Sequence, residues 1–266
     1  MKDLQLQDIY IYPIKSLGGI SVQKAEVELT GLQYDRRWML TNKDFQSLTQ
    51  RTNPQMALLQ VSLATDGLRI THKKNLLSPL TIRFDCRLQA KVTVNIWDDV
   101  CTAFEVSAEA NDWFSRALNI PVHLVYMPPT THRRVDTNYA SNKEIVSFAD
   151  AFPLMMIGQS SLDDLNSRLD QPLPMNRFRP NLVFKGGTPY VEDTIHSFQI
   201  NNITFTVVKP CARCVLTTID QEQAIKGTEP LKTLSTYRVT KNKIMFGQNL
   251  LYTGSGIIKV GDVLTV

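Results

Sequence analysis

Alternating apolar and polar positions predict β-strands along most of the chain. The clearest case is residues 92–97, Val-Thr-Val-Asn-Ile-Trp, which a short turn connects to a predicted partner strand at 102–106. Runs rich in Val, Ile, Thr and Phe are typical of strands, and two such runs, 203–208 and 215–219, flank a pair of cysteines. We therefore predict a chain that is built mainly from short strands.

In two segments the apolar positions recur with the 3.6-residue period of a helix. The first is 107–118, where Ser107 is suited to cap the N-terminus and the apolar residues fall on one face. The second is 161–169, where Ser161 and Asp164 resemble a capping box. We predict one helix in each segment.

Two further segments are predicted from their turn-forming residues. Residues 128–147 are polar, begin with proline and show no period, which is typical of a long loop of the kind that often carries function. Residues 256–266 are predicted to form a terminal hairpin. Because a few helices occur among many strands, the predicted fold class is mixed α and β, β-rich and based on β-barrels.

The composition is that of a globular protein and narrows the classes of function. The 266 residues suffice for one large or two smaller domains. The net charge is only +4, and the basic residues do not cluster with aromatic residues into a stripe of the kind that binds nucleic acid. A nucleic acid partner is therefore not expected, whereas a small anionic ligand is. Four irregularly spaced cysteines predict a reducing compartment. Since no apolar run approaches 18 residues, we expect a cytoplasmic protein with no membrane contact.

The segment Cys211-Ala212-Arg213-Cys214 is the strongest candidate for chemistry. A redox pair of the thioredoxin kind needs a helix after its first cysteine, and the residues after Cys214 are poor helix formers. A structural zinc site needs four ligands, usually in two pairs, and the other cysteines are isolated. Two ordinary buried cysteines remain an open alternative. We expect Arg213 to lie beside Cys214, because a guanidinium favours the thiolate that binds soft metals.

Five motifs occur in an order that resembles MOSC-domain proteins, in particular the branch of YcbX-like proteins and mitochondrial amidoxime-reducing components. They are Tyr-Pro-Ile-Lys-Ser at 12–16, Asp-Arg-Arg-Trp at 35–38, Phe-Arg-Pro-Asn at 178–181, Cys-Ala-Arg-Cys at 211–214 and Phe-Gly-Gln-Asn at 246–249. The resemblance implies an N-terminal β-barrel MOSC_N domain at 1–125, packed on a β-barrel MOSC domain with a few helices at 126–266. The C-terminal ferredoxin domain of longer bacterial members is not expected.

The resemblance also implies a molybdenum cofactor, a molybdopterin whose dithiolene sulfurs hold the metal and whose tail carries a phosphate. It places the metal ligand and catalytic residue at Cys214. The positions that match the family's pterin and phosphate contacts are Lys15, Ser16, Arg36, Arg179, Asn181 and Arg213. The family's serine between the two cysteines is Ala212 here, so one hydroxyl contact is lost. Cations from such distant segments can hold one phosphate only if the two domains clamp the ligand between them.

The implied activity is that of a molybdenum cofactor-binding oxidoreductase, independent of pyridoxal phosphate, that reduces small N-hydroxylated compounds. Its electrons would come from a separate electron-transfer protein of the ferredoxin, flavodoxin or cytochrome b5-like kind. An alternative of another class is a sulfur-carrier or molybdenum cofactor carrier protein that uses a Cys214 persulfide or ligand. Molybdenum cofactor sulfurases, which also contain a MOSC domain, are the reason to keep this alternative.

Each candidate residue also has an ordinary structural explanation. Lys15 taken alone is a solvated loop residue, Arg36 is an exposed strand charge, and Asn181 shapes a turn. The motif at 246–249 is predicted to be a structural turn beneath the site. Trp97 is predicted to be an aromatic anchor of a hairpin. The common family order of the motifs favours a site over these separate explanations.

Overall fold

Strands dominate the residues that the structure, a computed structural model, describes, which are 4–74, 76–140 and 142–266. Residues 1–3 of the predicted first domain and residue 141 of the predicted loop lie outside them. In the first half the strands are β1 (Leu4–Ile11), β2 (Ile20–Val22), β3 (Lys24–Glu28), β4 (Gly31–Leu32), β5 (Trp38–Thr41), β6 (Leu59–Ala64), β7 (Gly67–His72), β8 (Leu80–Arg83), β9 (Lys91–Ile96), β10 (Asp99–Glu105) and β11 (His123–Tyr126). In the second half they are β12 (Leu154–Gly158), β13 (Leu182–Lys185), β14 (Ser197–Ile200), β15 (Ile203–Ala212), β16 (Val239–Thr240), β17 (Lys243–Thr253), β18 (Gly256–Lys259) and β19 (Val263–Leu264).

The helices are few and short, which confirms the predicted β-rich, mixed fold class. They are α1 (Ala108–Leu118), α2 (Gln159–Asn166) and α3 (Leu231–Leu234), with single 3-10 turns at Pro54–Leu58, Met175–Arg177, Val191–Asp193 and Val215–Thr218. Among the helices of the described residues, none combines the length and the apolar composition needed to cross a bilayer.

The largest sheet closes into a barrel. Its strands follow the order β14, β15, β17, β12, β13, β1 and β19. Paired backbone hydrogen bonds of 2.8 and 2.9 Å between Gln199 in β14 and Thr265 next to β19 join the last strand to the first. Strands β12 and β13 run parallel, and the other pairs on this path are antiparallel. The barrel strands contribute Leu6, Phe184 and Phe205 to one buried apolar cluster.

The first half of the chain adds two smaller sheets and a helix. One sheet has the order β5, β11, β10, β9, and the other has the order β6, β7, β8. The predicted pairing of 92–97 with 102–106 is confirmed, with Thr93 opposite Thr102. The predicted first helix is confirmed as α1, and the Ser107 hydroxyl caps it by accepting the Ala110 N–H at 3.1 Å.

Strands of the first half also pair with strands of the second. Strand β1 lies between β13 and β19 in the barrel, and β3 pairs with β18. These pairings tie the two predicted segments together, so residues from both can be held in fixed positions around one site. The boundary between 1–125 and 126–266 stays a prediction.

The strand predicted at 215–219 is wrong, because Val215–Thr218 forms a 3-10 turn. The hydroxyl of Thr217 donates to the Cys214 carbonyl at 2.9 Å, and that of Thr218 donates to the Val215 carbonyl at 2.8 Å. Threonine hydroxyls that bond back to the chain in this way compete with strand pairing. The turn therefore begins directly after Cys214.

The hairpin predicted at 256–266 is also wrong. The two strands in this segment, β18 and β19, do not pair with each other among the described residues; β18 pairs with β3 and β19 pairs with β1. Apolar alternation marks strands, but the choice of a partner depends on residues more than 200 positions earlier in the chain.

The capping box predicted for the second helix is not formed. Helix α2 begins earlier, after Gly158, and has no side-chain cap. The Ser161 hydroxyl instead donates to Glu192 at 2.8 Å and accepts the Tyr190 N–H at 2.7 Å. Its hydrogen bonds thus fix the loop after β13 against the helix.

Candidate functional site

A cavity of about 430 Å³ is lined by residues from both halves of the chain. This volume is within the usual range of small-molecule sites. All the residues that the resemblance singled out line it: Lys15, Ser16, Arg36, Arg179, Asn181, Arg213 and Cys214. The structure therefore brings the predicted site residues together, while their roles stay predictions.

Three of these residues have unusual backbone conformations. Ser16, Arg36 and Arg179 have φ angles of +64°, +52° and +56°, in the left-handed region. Residues other than glycine rarely adopt this region, and such strain concentrates at functional sites. The left-handed backbone conformation changes the direction in which each of these three side chains leaves the chain, and all three side chains line the same cavity.

Lys15 is buried and paired, which differs from the solvated residue expected by default. The residue is only 4% exposed, and Nζ donates to Asp150 Oδ1 at 2.5 Å and to the Phe148 carbonyl at 2.7 Å. Burial lowers the pKa of the Lys15 ammonium, against the attraction of the Asp150 carboxylate. Asp150, which comes just before β12, is thus the residue that makes a buried charge at Lys15 tolerable.

The Asp150 carboxyl is held strongly in its ionised form. Partial desolvation by the surrounding cavity wall acts to raise its pKa, although the side chain is half exposed. The charge and hydrogen bond of Lys15, together with the charge of Arg51, outweigh this effect and leave the pKa well below the usual range. At neutral pH this carboxylate accepts hydrogen bonds and has no proton to donate. Asp150 is therefore unsuited to act as a general acid.

Two guanidinium groups pack on the ring of Tyr12. The Cζ atoms of Arg36 and Arg179 lie 4.6 and 4.2 Å from its centroid. Arg36 also donates to the Asp35 carboxylate and, at 3.2 Å, to Asn181 Oδ1. Burial lowers the pKa of Arg179 to about 10, so this side chain still carries its charge at neutral pH. Neither arginine is an exposed strand charge, and both cations are available on the cavity wall.

The Arg213 guanidinium hydrogen-bonds to Cys211 and not to Cys214, contrary to the expectation from sequence. Its Nη1 donates to Cys211 Sγ at 2.9 Å, and its Nη2 donates to the Phe178 carbonyl at 2.6 Å. Residues two apart on an extended chain project to the same side, which places Arg213 with Cys211. Cys214 follows the end of β15 and directly precedes the 3-10 turn, and its sulfur accepts a hydrogen bond from a different arginine.

The arginine beside Cys214 is Arg51, which sequence reasoning missed. Its Nε donates to Cys214 Sγ at 3.2 Å, and its Nη2 donates to Asp150 Oδ2 at 3.0 Å. Its Cζ lies 4.3 Å from the centroid of the Trp97 ring. Arg51 lies in the loop between β5 and the Pro54–Leu58 turn, outside every motif, so its sequence position carries no sign of this role.

The motif at 246–249 lies inside strand β17, so the predicted turn is wrong. Gly247 has a φ of +82°, and a Cβ there would approach the Met156 carbonyl oxygen to 2.8 Å. Phe246 packs against Phe178 with centroids 4.6 Å apart, which supports the wall that carries Arg213.

The long loop at 128–147 supplies a support for Asp150. Arg133 is buried, and its guanidinium donates to the Ala149 carbonyl at 2.5 Å and to the Asp150 carbonyl at 3.0 Å. It also pairs with Asp99. Arg133 therefore fixes the backbone that presents Asp150 to the cavity.

The donors around the cavity fit an anionic ligand that contains a soft metal. Six cationic side chains line it, against one acidic side chain among the described residues: Lys15, Arg36, Arg51, Arg179, Lys209 and Arg213 against Asp150. The Nε of Arg213 is buried and has no hydrogen-bond partner in the described part of the chain, so an acceptor on a bound ligand would satisfy it. The Cys214 sulfur lines the same space and offers the soft ligand type that molybdenum accepts.

Comparisons with known proteins identify the family of this chain. The family model for the MOSC N-terminal beta barrel domain matches residues 3–121, and that for the MOSC domain matches residues 143–265. Mitochondrial amidoxime-reducing component 1 of Mus musculus is 32% identical over 96% of this chain and 79% of the mouse protein. The protein of the same name from Homo sapiens is 30% identical over 96% of this chain and 80% of the human protein.

A second group of relatives is longer. Molybdenum cofactor sulfurase of Oryza sativa subsp. japonica is 32% identical over 95% of this chain, but the match spans only 33% of the rice protein. The family models and both groups of relatives identify the same family, although the two groups are named for different activities. The chain belongs to the MOSC family, with a MOSC N-terminal beta barrel domain followed by a MOSC domain.

Proposed function

We propose that this protein binds a molybdenum cofactor and reduces N-hydroxylated compounds. The observation that carries the proposal is that a free cysteine sulfur, Cys214, lines one cavity together with six cations. The names of the mouse and human relatives, amidoxime-reducing components, support the class of reaction. When bound, the cofactor supplies two-electron oxygen-transfer chemistry, which no side chain provides.

The side chains around the cavity have distinct proposed roles. Cys214 is the metal ligand and the catalytic residue, since a thiolate suits a metal that dithiolene sulfurs already hold. Lys15, Arg36 and Arg179 bind the phosphate and the pterin through charge-assisted hydrogen bonds. The remaining donors are the Ser16 hydroxyl, the Asn181 amide and the buried Nε of Arg213.

The electrons are proposed to come from a separate protein of the ferredoxin, flavodoxin or cytochrome b5-like kind. The domain boundary near residue 125 and a cytoplasmic location belong to the same proposal. The mouse and human relatives are named mitochondrial, so location requires its own measurement, such as fractionation of the cells that make the protein.

The proposal is tested by making the protein in a host that synthesises molybdopterin. We expect stoichiometric molybdenum by elemental analysis, and reduction of an aryl amidoxime to the amidine when a chemically reduced viologen supplies electrons. The control is the same protein from a host that lacks molybdopterin synthesis, which we expect to be inactive. Protein that carries the cofactor but leaves the amidoxime unreduced would contradict the reductase function.

The alternative function is transport of sulfur or of the cofactor itself. The match to rice molybdenum cofactor sulfurase over 95% of this chain supports it. A carrier would hold a persulfide on Cys214, formed when a low-molecular-weight persulfide transfers its outer sulfur to the Cys214 thiol and leaves as a thiol. Intact-mass spectrometry detects this persulfide as one added sulfur. The same sample would show no N-reductive turnover.

We expect Arg51→Gln to lower both molybdenum content and amidoxime reduction. Arg51 contacts the proposed metal ligand without being one, and loss of such a supporting contact typically costs about 10- to 100-fold in metal affinity or activity. Arg83→Gln is a matched control. Arg83 also forms ion pairs, here with two carboxylates, but it is exposed and does not line the cavity. Equal molybdenum content and turnover in the two variants would show that Arg51 does not support Cys214.

A further inference from the structure

The turn between β9 and β10 has a bulky residue where a small one is favoured. Ile96 is opposite Asp99, so Trp97 and Asp98 form a two-residue hairpin loop. Trp97 has a φ of +55°, and turns of this kind usually place glycine or asparagine at such a position. Backbone strain of this kind is typical of positions with a functional constraint.

The indole of Trp97 is held at the cavity rather than packed into a core. Nε1 donates to Asp150 Oδ1 at 3.3 Å, and the Arg51 guanidinium lies over the ring at 4.3 Å. The residue nevertheless remains 49% exposed, whereas Trp38 and Trp113 are 4% and 8% exposed. Trp97 is therefore more than the hairpin anchor that its sequence position predicts.

The ring also lies close to the proposed reaction centre. The guanidinium group of Arg51 contacts the indole, and Nε of the same group donates to the Cys214 sulfur at 3.2 Å. One guanidinium group thus separates the ring from the proposed metal ligand. If a flat group of a substrate lies against the exposed part of the indole, the substrate atoms attached to that group lie close to Cys214.

We propose that Trp97 is a specificity-determining residue whose indole selects N-hydroxylated substrates with a planar aromatic group over aliphatic ones. A preference for aromatic substrates in turnover rests on the proposed reductase function, whereas a preference for binding aromatic compounds does not. Aromatic rings that stack or meet edge to face gain enough beyond area burial to change affinity between about two- and tenfold. The fixed orientation of the ring, set by Asp150 and Arg51, makes that gain available without ordering the side chain on binding.

The kinetic test compares Trp97→Leu and Trp97→Phe on an aryl amidoxime and an aliphatic amidoxime of similar size. We expect Trp97→Leu to raise the KM of the aryl substrate about two- to tenfold more than the KM of the aliphatic substrate. Trp97→Phe keeps a ring and should retain most of the preference. Equal changes for both substrates would show that Trp97 acts only through structure and would overturn the proposal.

A binding test does not depend on turnover. The sequence has three tryptophans, and Trp97 is the exposed one, so an aryl amidoxime titrated into the cofactor-loaded protein without an electron donor should quench its fluorescence. The quench should disappear in Trp97→Phe, and the aliphatic amidoxime should produce none. A quench that persists in Trp97→Phe would overturn the proposal. Specific binding without any amidoxime reduction would sustain it while contradicting the reductase function.

Discussion

Cys214→Ser is expected to lose amidoxime reduction by about 100-fold or more, together with most of its molybdenum. Replacing residues that merely support a metal ligand costs about 10- to 100-fold, so replacing the ligand itself should reach or exceed that upper value. A serine hydroxyl is a hard and weakly acidic ligand, and it is a poor substitute for a soft thiolate at molybdenum. Elemental analysis and viologen-driven turnover of the same preparation measure both losses.

Two other cysteine variants make the result specific to one sulfur. Cys101→Ser removes a thiol in β10 that is not part of the cavity wall, and we expect wild-type molybdenum content and turnover. Cys211→Ser tests the other sulfur of the motif, which contacts Arg213, and we expect a much smaller loss than in Cys214→Ser. If Cys211→Ser lost molybdenum while Cys214→Ser kept it, the ligand would have been assigned to the wrong cysteine. Thermal unfolding confirms that each variant is folded.

Asp150→Asn is expected to lower the free energy of unfolding by about 2 kcal/mol at pH 6. The change leaves the buried Lys15 ammonium without its carboxylate, and breaking a buried ion pair from one side costs about 3–5 kcal/mol. The expected loss lies below this range because the Asp150 side chain is 51% exposed, and solvent therefore screens part of the interaction. Adding Lys15→Met should recover much of the loss, because no unpaired charge then remains.

The same variant gives a pH dependence with a definite sign. The folded state depresses the pKa of Asp150 below the unfolded value of about 4. Its contribution to stability is therefore complete above that value and is lost as the pH falls through it toward the folded pKa. The difference in unfolding free energy between wild type and Asp150→Asn should shrink between pH 6 and pH 3 in urea titrations.

An exposed ion pair provides the comparison for this effect. Asp66→Asn breaks a surface pair with Arg83, and we expect no measurable change in unfolding free energy at either pH. A wild-type value for Asp150→Asn at pH 6 would mean that Asp150 does not stabilise the buried lysine. A loss that Lys15→Met does not relieve would point instead to the Arg51 contact.

Patterns within short stretches of sequence were sufficient to predict the elements that are stabilised by contacts between neighbouring residues. The Ser107 cap and the apolar face identified α1, and strict alternation identified β9 with its hairpin partner. The motifs, read through the family resemblance, identified seven site residues, and all seven line the cavity. Each of these inferences depends on spacings within a few residues or on a known family order.

Most of the predictions that were wrong or missing concern contacts between residues that are distant in sequence. Arg51 belongs to no motif, and only the folded loop places it between Cys214 and Asp150. Likewise β18 and β19 look like a hairpin in sequence, but each has a partner in the first 28 residues. The strand predicted after Cys214 failed for a different reason, since threonine hydroxyls stabilised a tight turn in a β-branched run.

The closure of the barrel has a consequence for how this protein is made. Strand β1 leaves the ribosome before its partners β13 and β19, which are translated roughly 170 and 250 residues later. Such long-range pairing slows folding and leaves an unpaired edge open in the meantime. The nascent β1 therefore stays unpaired at these edges until β13 and β19 have been translated, and the cavity wall, which includes Asn249, is also completed late in synthesis.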